Sequence, residues 1–286
     1  MSLYNTKALQ KLSSFCVRLL PISRSLRHHT GKVFAENMLD FYFDEDNDRA
    51  PGLTCMGALK KYYERTLITD PVTGWEGDDN NSLGCGANMR ASWFGLLPYS
   101  DEVITDLTII QAKVTHGGNI ASISAILTAL AVKDIIRNHW SEETFADELT
   151  DAIEHKIDWL LTYVDRNPWT GISHNDIYRF AGMFNTCSLL YPRFADQPYT
   201  TDPNIYFGEG WTAHEAFFNA VFTTMKYLTN PITGIKSLVY SQGDSDSTAA
   251  IAGAMLGAYN GYDSLGIDVI GKFEPRYNQE LSSAIS

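Results

Sequence analysis

A dense group of oxygen-bearing side chains stands at residues 243–248, in the sequence GDSDST. Asp244, Asp246 and Ser247 lie close together there, directly before a run of Ala, Gly, Ile, Met and Leu. Two carboxylates and a hydroxyl form a cluster of hard oxygen donors. Such clusters suit Mg²⁺, which prefers oxygen ligands and keeps several waters. The spacing therefore indicates a metal site.

A helix cap is the alternative interpretation of the same residues. Asp and Ser at the start of a helix accept hydrogen bonds from free backbone N–H groups. One such residue suffices for capping, and neighbouring carboxylates repel each other without a cation. We therefore favour a metal site, and the small residues that follow predict a closely packed helix from about Thr248 onward.

Three further segments combine glycine with residues that could bind a ligand. A glycine-rich turn into a helix can expose backbone N–H groups to phosphate, although a tight turn with a helix cap explains such a sequence equally well. A lone His at a helix end is most often a cap or a packing residue. The segments are GCGANMRA with Gly84, Cys85 and Gly86, THGG with His116, and YFGEGWTAHEA with Tyr206, Gly208 and Gly210.

Composition excludes several classes of function. The net charge of −12 opposes phosphate, so we expect no nucleic-acid partner. The longest apolar run, at about residues 120–132, is too short to cross a bilayer, and we expect no membrane partner. No cysteine pair has metal-ligand spacing, which predicts free thiols in a reducing compartment, the cytoplasm. The cysteines are Cys16, Cys55, Cys85 and Cys187.

The first 35 residues differ from the rest in charge. They hold six Lys and Arg and no Asp or Glu, so they contribute +6 while the remainder carries −18. Organelle transit peptides can have such a composition. We favour a basic helix within the same domain, because ALQKLSSFCVRLL has apolar residues at helical spacing. The domain description is thus a basic helical segment at 1–35 joined to the main body at 36–286.

Apolar residues repeat at helical spacing through most of the chain, which predicts a single all-α domain. Long irregular stretches at 68–88, 165–175 and 192–210 are rich in Gly, Pro, Asn and Asp, and such loops are more often functional than idle. The predicted helices span residues 31–43, 53–67, 101–116, 119–138, 142–164 and 210–228.

Taken together, these motifs resemble the ADP-ribosylglycohydrolase family, from about residue 5 to the C-terminus. The motif GDSDSTAAIAG and the segment DRAPG at 48–52 are similar to the motifs of its arginine-specific branch. The resemblance implies a compact orthogonal helical fold with a two-Mg²⁺ centre at the bottom of an ADP-ribose cleft. It also implies hydrolysis of the N-glycosidic bond between ADP-ribose and a protein side chain, with ADP-ribosylated protein or ADP-ribose as the partner.

The same resemblance implies roles for individual positions. Asp244 and Asp246 would be catalytic and, with Ser247, would hold the metal. The other positions would contact phosphate, ribose or the enclosed ADP-ribose: Ser82, Gly84, Cys85, Gly86, His116, Tyr206, Gly208 and Gly210.

The sequence also departs from the family pattern. Members carry a Thr/Ser-Asp-Asp-Thr motif near the start, whereas this sequence has no acidic pair before Glu36. Asp78 and Asp79 could supply the missing carboxylates, but their loop already corresponds to another part of the family pattern. We therefore expect one Mg²⁺ ion, a doubtful second one, and slow or absent hydrolysis. A pseudoenzyme that binds ADP-ribose or a protein without turnover, or a shortened gene product, are the alternatives.

Overall fold

Helices dominate the part of the protein that the structure describes. The computed structural model describes residues 23–45, 52–68, 80–261 and residue 264. This part of the chain contains no β-strand, only one isolated bridge between Gly84 and Thr212. The all-α prediction is confirmed. The α-helices are α1 Arg24–Tyr42, α2 Leu53–Ile68, α3 Ser92–Gly95, α4 Asp101–Lys113, α5 Asn119–Asn138, α6 Phe145–Arg166, α7 His174–Ala195, α8 Asn204–Phe207, α9 Ala213–Lys226, α10 Pro231–Val239 and α11 Ser245–Asn260.

Helix α5 is the centre of the core. Its residues are apolar or small around most of the circumference, and such a helix is stable only when neighbours cover every side. Helices α3, α4, α6, α7, α9 and α11 all pack against it. Ile123, Ile126 and Leu130 on this helix are fully buried. The motif-bearing loops are anchored on the helices of this shell.

The length and composition of α5 also match those of a membrane span. An 18-residue window of the helix has a mean hydropathy of 1.6, and 83% of that window is buried inside the protein. The apolar helix is therefore longer than the 120–132 run identified in the sequence. Burial of this extent is typical of a core helix.

Helix boundaries agree with the sequence prediction for α2, α4, α5, α6 and α9 within a few residues. The sequence prediction named no helix at α7, and the irregular stretch that it placed at 192–210 begins inside the last turn of this helix, where Pro192 is tolerated. Helix α11 begins at Ser245 rather than Thr248. The proposed helix at 8–20 and the segment 69–79 lie outside the described residues. The proposed boundary at residue 35 falls within α1.

Close packing between α3 and α5 requires a residue without a side chain. A Cβ atom on Gly95 would lie 2.3 Å from the carbonyl oxygen of Ala129 and 2.9 Å from Cβ of Val132. Neither atom belongs to the end of a flexible side chain. The contact fixes how the 85–95 segment sits against the core.

We predict that Gly95→Ala lowers the free energy of unfolding by about 1–3 kcal/mol through overpacking. Gly182→Ala is the matched control, because nothing lies within 4 Å of a Cβ there and the position is inside α7. The control is expected to gain about 0.5–1 kcal/mol from helix propensity. Urea denaturation measures both, and equal effects of the two substitutions would contradict the packing argument.

Candidate active site

Three loops that are distant in sequence meet at the N-terminus of α11. The amide of Ala213 donates to the Leu83 carbonyl at 2.7 Å, and the amide of Gly118 donates to the Ser82 carbonyl at 3.2 Å. The amide of Asp244 donates to the Glu209 carbonyl at 2.9 Å. These backbone bonds join four segments that the sequence singled out.

A side-chain contact links Cys85 to the N-terminus of α11. The Cys85 thiol lies 2.7 Å from Oδ2 of Asp244 and 3.2 Å from Oγ of Ser247. Asp244 is only 8% exposed and Ser247 3%. The structure therefore brings the glycine-flanked turn and the acidic cluster together, as the sequence predicted, through a thiol whose part in the contact the sequence did not indicate.

The acidic cluster is not used as a helix cap. Asp244 is the N-cap residue of α11 by position, but its side chain makes no capping hydrogen bond. Burial raises the pKa of the Asp244 carboxyl, and a close approach of the exposed Asp246 carboxyl raises it further. Burial together with the hydrogen bond to Asp244 raises the pKa of Cys85 to about 12, so the thiol stays protonated and donates to the carboxylate.

A buried arginine supports the glycine-flanked turn from behind. Arg90 is 6% exposed, and its guanidinium donates to the Gly86 carbonyl at 2.8 Å. It also donates to Oε1 of Gln111 at 2.6 Å and to Oγ1 of Thr115 at 2.6 Å. Gln111 in turn donates to the Ala87 carbonyl at 2.9 Å. The backbone at 85–90 is therefore held to the end of α4 by charge-assisted bonds.

The imidazole of His116 packs against the same turn. A Cβ atom on Gly86 would lie 2.8 Å from Cε1 of this ring, and one on Gly84 would lie 3.3 Å from Nε2. Any larger residue at Gly86 would displace the ring. Burial and the neighbouring Arg90 charge lower the pKa of His116 to about 3, so the ring is neutral near pH 7.

Asn80 joins the glycine-flanked turn to the THGG segment. Its Oδ1 accepts hydrogen bonds from the amides of Ser82 at 3.0 Å and Gly117 at 2.9 Å, and its Nδ2 donates to the Thr115 carbonyl at 2.9 Å. The Ser82 hydroxyl accepts from the amide of Gly84 at 3.3 Å. In the structure Ser82 therefore orders the turn, and its contact with a ligand stays a prediction.

The loop at 206–212 divides into two environments. Gly210 has φ +82, and a Cβ there would lie 2.6 Å from Cγ2 of Thr248 and 3.6 Å from Cβ of Asp244. Gly208 sits against Glu215, while the Tyr206 ring packs on Phe194 of α7 with centroids 5.5 Å apart. Gly210 thus borders the acidic cluster directly, whereas Tyr206 packs against α7.

Sequence reasoning missed several residues of this site. Arg90, Thr115 and Asn80 supply its internal hydrogen bonds, and Trp211 is 57% exposed beside Gly210. One signal was available: Arg90 is the single charged residue between Gly86 and Pro98, four residues after Gly86. The partners of the other three depend on which loops meet.

The donor set fits one magnesium ion in chemistry and number. Asp244, Asp246 and Ser247 offer three hard oxygens, and Mg²⁺ accepts waters for the remaining positions. A cation there would also offset the repulsion between the two carboxylates. Within the described part of the chain no group of three or more His, Cys, Asp and Glu side chains is placed to hold a metal.

Comparison with known proteins identifies the family to which these motifs belong. The family model described as ADP-ribosylglycohydrolase matches residues 17–284. The chain belongs to this family. ADP-ribosylhydrolase ARH3 of Homo sapiens is 23% identical over 238 residues, covering 78% of this chain. The Xenopus tropicalis ARH3 is 25% identical over 240 residues, 78% of this chain. ADP-ribosylhydrolase ARH1 of Dictyostelium discoideum is 24% identical over 254 residues, 76% of this chain.

The match covers less of the relatives than of this chain. It spans 63% of the human protein, 65% of the Xenopus protein and 64% of the Dictyostelium protein. Membership therefore gives this chain the all-α fold of the family.

We predict that His116 makes the fold acid-sensitive. The unfolded chain protonates this side chain near its ordinary pKa of about 6.5, whereas the folded chain does so only near its pKa of about 3. Between these values the unfolded state binds more protons, so stability falls as pH drops below about 6.5. Urea unfolding of wild type and His116→Gln at pH 7 and pH 5 measures the effect.

The variant is expected to lose less stability than wild type over that pH interval. His155→Gln, which removes an exposed imidazole on α6, is the control and should keep the wild-type slope. Parallel slopes for wild type and His116→Gln would show that the ring does not carry this pH dependence.

Proposed function

We propose that this protein hydrolyses the N-glycosidic bond between ADP-ribose and a protein side chain, arginine being the favoured linkage. The observation that carries the proposal is the contact between Cys85 and Asp244, which brings the glycine-flanked turn and the acidic cluster to one place. Family membership supports the reaction class, since the relatives that match are named ADP-ribosylhydrolases.

In this proposal one group of residues binds the ADP-ribosyl group and another stabilises charge in the transition state. The turn at Gly84–Gly86 and the ring of His116 form a neutral, polar wall that can bind the phosphate and ribose groups. Asp244 and Asp246 place negative charge beside that wall, where an oxocarbenium-like transition state would need stabilisation. Gly210 allows the neighbouring loop to approach the acidic cluster closely.

Magnesium is the cofactor that this proposal includes. Asp244, Asp246 and Ser247 would hold it, and it would supply charge stabilisation for ribose hydroxyls and for an attacking water. The exposed position of Asp246 leaves its carboxylate free to move toward an ion, while Asp244 is held in place by Cys85.

A second candidate is binding of ADP-ribose without turnover. It is favoured by the protonated Cys85 thiol, which occupies one oxygen of Asp244, and by the absence of further clustered carboxylates in the described residues. Binding and hydrolysis therefore require separate measurements.

For binding, we predict that ADP-ribose associates more tightly with Mg²⁺ than with EDTA, because the cation offsets the charge of the acidic cluster. Asp244→Asn should reduce the difference by about tenfold or more, as expected for loss of a charged contact. Asp158→Asn, an exposed position on α6, is the control and should keep the wild-type values. Titration calorimetry measures each; absence of binding in both conditions would exclude both candidates.

For turnover, we predict slow or absent release of ADP-ribose from ADP-ribosylarginine. Asp244, Asp246 and Ser247 would hold one ion through three oxygens. No group of three or more His, Cys, Asp and Glu side chains in the described residues is placed to hold a second. A rate on the order of one turnover per second, lost in Asp246→Ala, would contradict the prediction. It would show that another residue supplies the remaining ligands.

A further inference from the structure

A chain of hydrogen bonds runs from Arg90 to the ring of His116. Nη2 of Arg90 lies 2.6 Å from Oγ1 of Thr115, and that oxygen lies 2.8 Å from Nδ1 of His116. All three residues are buried, with Arg90 6%, Thr115 0% and His116 2% exposed. The directions of these two bonds follow from what each group is able to donate.

A guanidinium has donors and no acceptor. The oxygen of Thr115 therefore accepts from Arg90, and its own hydroxyl proton is left to donate. Within the described residues Arg90 and His116 are the two side-chain partners of this hydroxyl. If Thr115 accepted a second bond from His116, its buried hydroxyl proton would have no partner, which is costly. Donation to Nδ1 of His116 satisfies this proton and assigns Nδ1 as the unprotonated nitrogen of the ring.

The second ring nitrogen then carries the proton. The low pKa of His116 keeps the ring neutral, so only one of its nitrogens is protonated near pH 7. Nε2 lies 3.3 Å from a Cβ built on Gly84 and 3.1 Å from one built on Gly86, so it borders the glycine-flanked turn. An N–H group at this nitrogen therefore belongs to the wall, formed by the turn and the ring, that is proposed to bind the ligand.

We propose that Arg90 and Thr115 are positioning residues, which hold His116 in the Nε2–H tautomer as a neutral hydrogen-bond donor to an oxygen of the bound ADP-ribosyl group. The identity of the ligand rests on the proposed function, whereas the tautomer rests on the hydrogen bonds and the burial of the ring within the protein. In this series of hydrogen bonds Thr115 lies between the guanidinium of Arg90 and Nδ1 of His116. The ring therefore accepts at Nδ1 and keeps its proton on Nε2.

Nitrogen-15 NMR of the histidine rings tests the tautomer in the full chain without any ligand. His116→Gln assigns the signals by their disappearance. Wild type is expected to show an unprotonated Nδ1 and a protonated Nε2 at pH 7, and Thr115→Ser should preserve this pattern. Thr115→Val, which keeps the shape and removes the hydroxyl, should shift the ring to a mixture of tautomers or to Nδ1–H.

Thr105→Val is the matched control, because it removes a buried threonine hydroxyl that has no hydrogen-bond partner. It should leave the His116 signals unchanged. A protonated Nδ1 in wild type would overturn the proposal, as would an unchanged Nε2–H pattern in folded Thr115→Val. The wild-type spectrum decides the tautomer even where a variant does not fold.

Affinity for ADP-ribose tests the donor role separately. Thr115→Val is expected to weaken binding about tenfold, the effect of one hydrogen bond to a charged group, while Thr115→Ser and Thr105→Val stay within about twofold of wild type. Equal affinity of wild type and Thr115→Val would overturn the donor role. Failure of wild type to bind ADP-ribose would instead reject the proposed function, with the tautomer still decided by NMR.

Discussion

A guanidinium buried behind the glycine-flanked turn determines the form of the whole site. Removing the Arg90 charge from water is costly, and the structure offsets the cost with carbonyl, amide and hydroxyl oxygens. Satisfying these bonds requires the 85–90 backbone and the end of α4 to keep fixed positions. Displacing either would leave a buried charge without acceptors, a much larger penalty than losing one apolar contact.

The close-packed core holds the partners of this polar network in fixed positions. Helix α5 is enclosed by six neighbouring helices, and it supports α3 and α11 on its surface. The loops that carry the site begin or end on these helices. Because the helices are close-packed, the loops have little freedom to relax when a polar partner is removed.

Charge and hydrogen bonding are arranged asymmetrically across the site. One side is neutral, formed by the turn at Gly84–Gly86 and the uncharged His116 ring. The other side holds Asp244 and Asp246, whose mutual repulsion is only partly relieved by the Cys85 thiol. A neutral thiol donor stabilises one carboxylate, whereas a cation would stabilise both. The thiol therefore leaves the acidic cluster suited to a cation, and it gives Asp244 a fixed orientation in advance.

Sequence patterns determined the helical class and the identity of the motifs. Apolar periodicity located most of the helices, since burial of one face constrains residue type every three to four positions. It did not reveal α7, whose Pro192 is tolerated because only the last turn follows it. The carboxylates of GDSDST were also recognisable, because two charges so close together are rare without a partner.

Only the tertiary structure decided which groups those motifs contact. Cys85 was noted for its backbone, yet its side chain joins the turn to Asp244 across 159 positions of sequence. Thr115 and Asn80 have no distinguishing pattern, because a polar side chain's partner is set by how loops meet in space. The state of His116 depends on burial and on a hydroxyl that receives its own bond from Arg90. Sequence fixes which donors and acceptors exist, whereas packing excludes water and so decides which of them must pair.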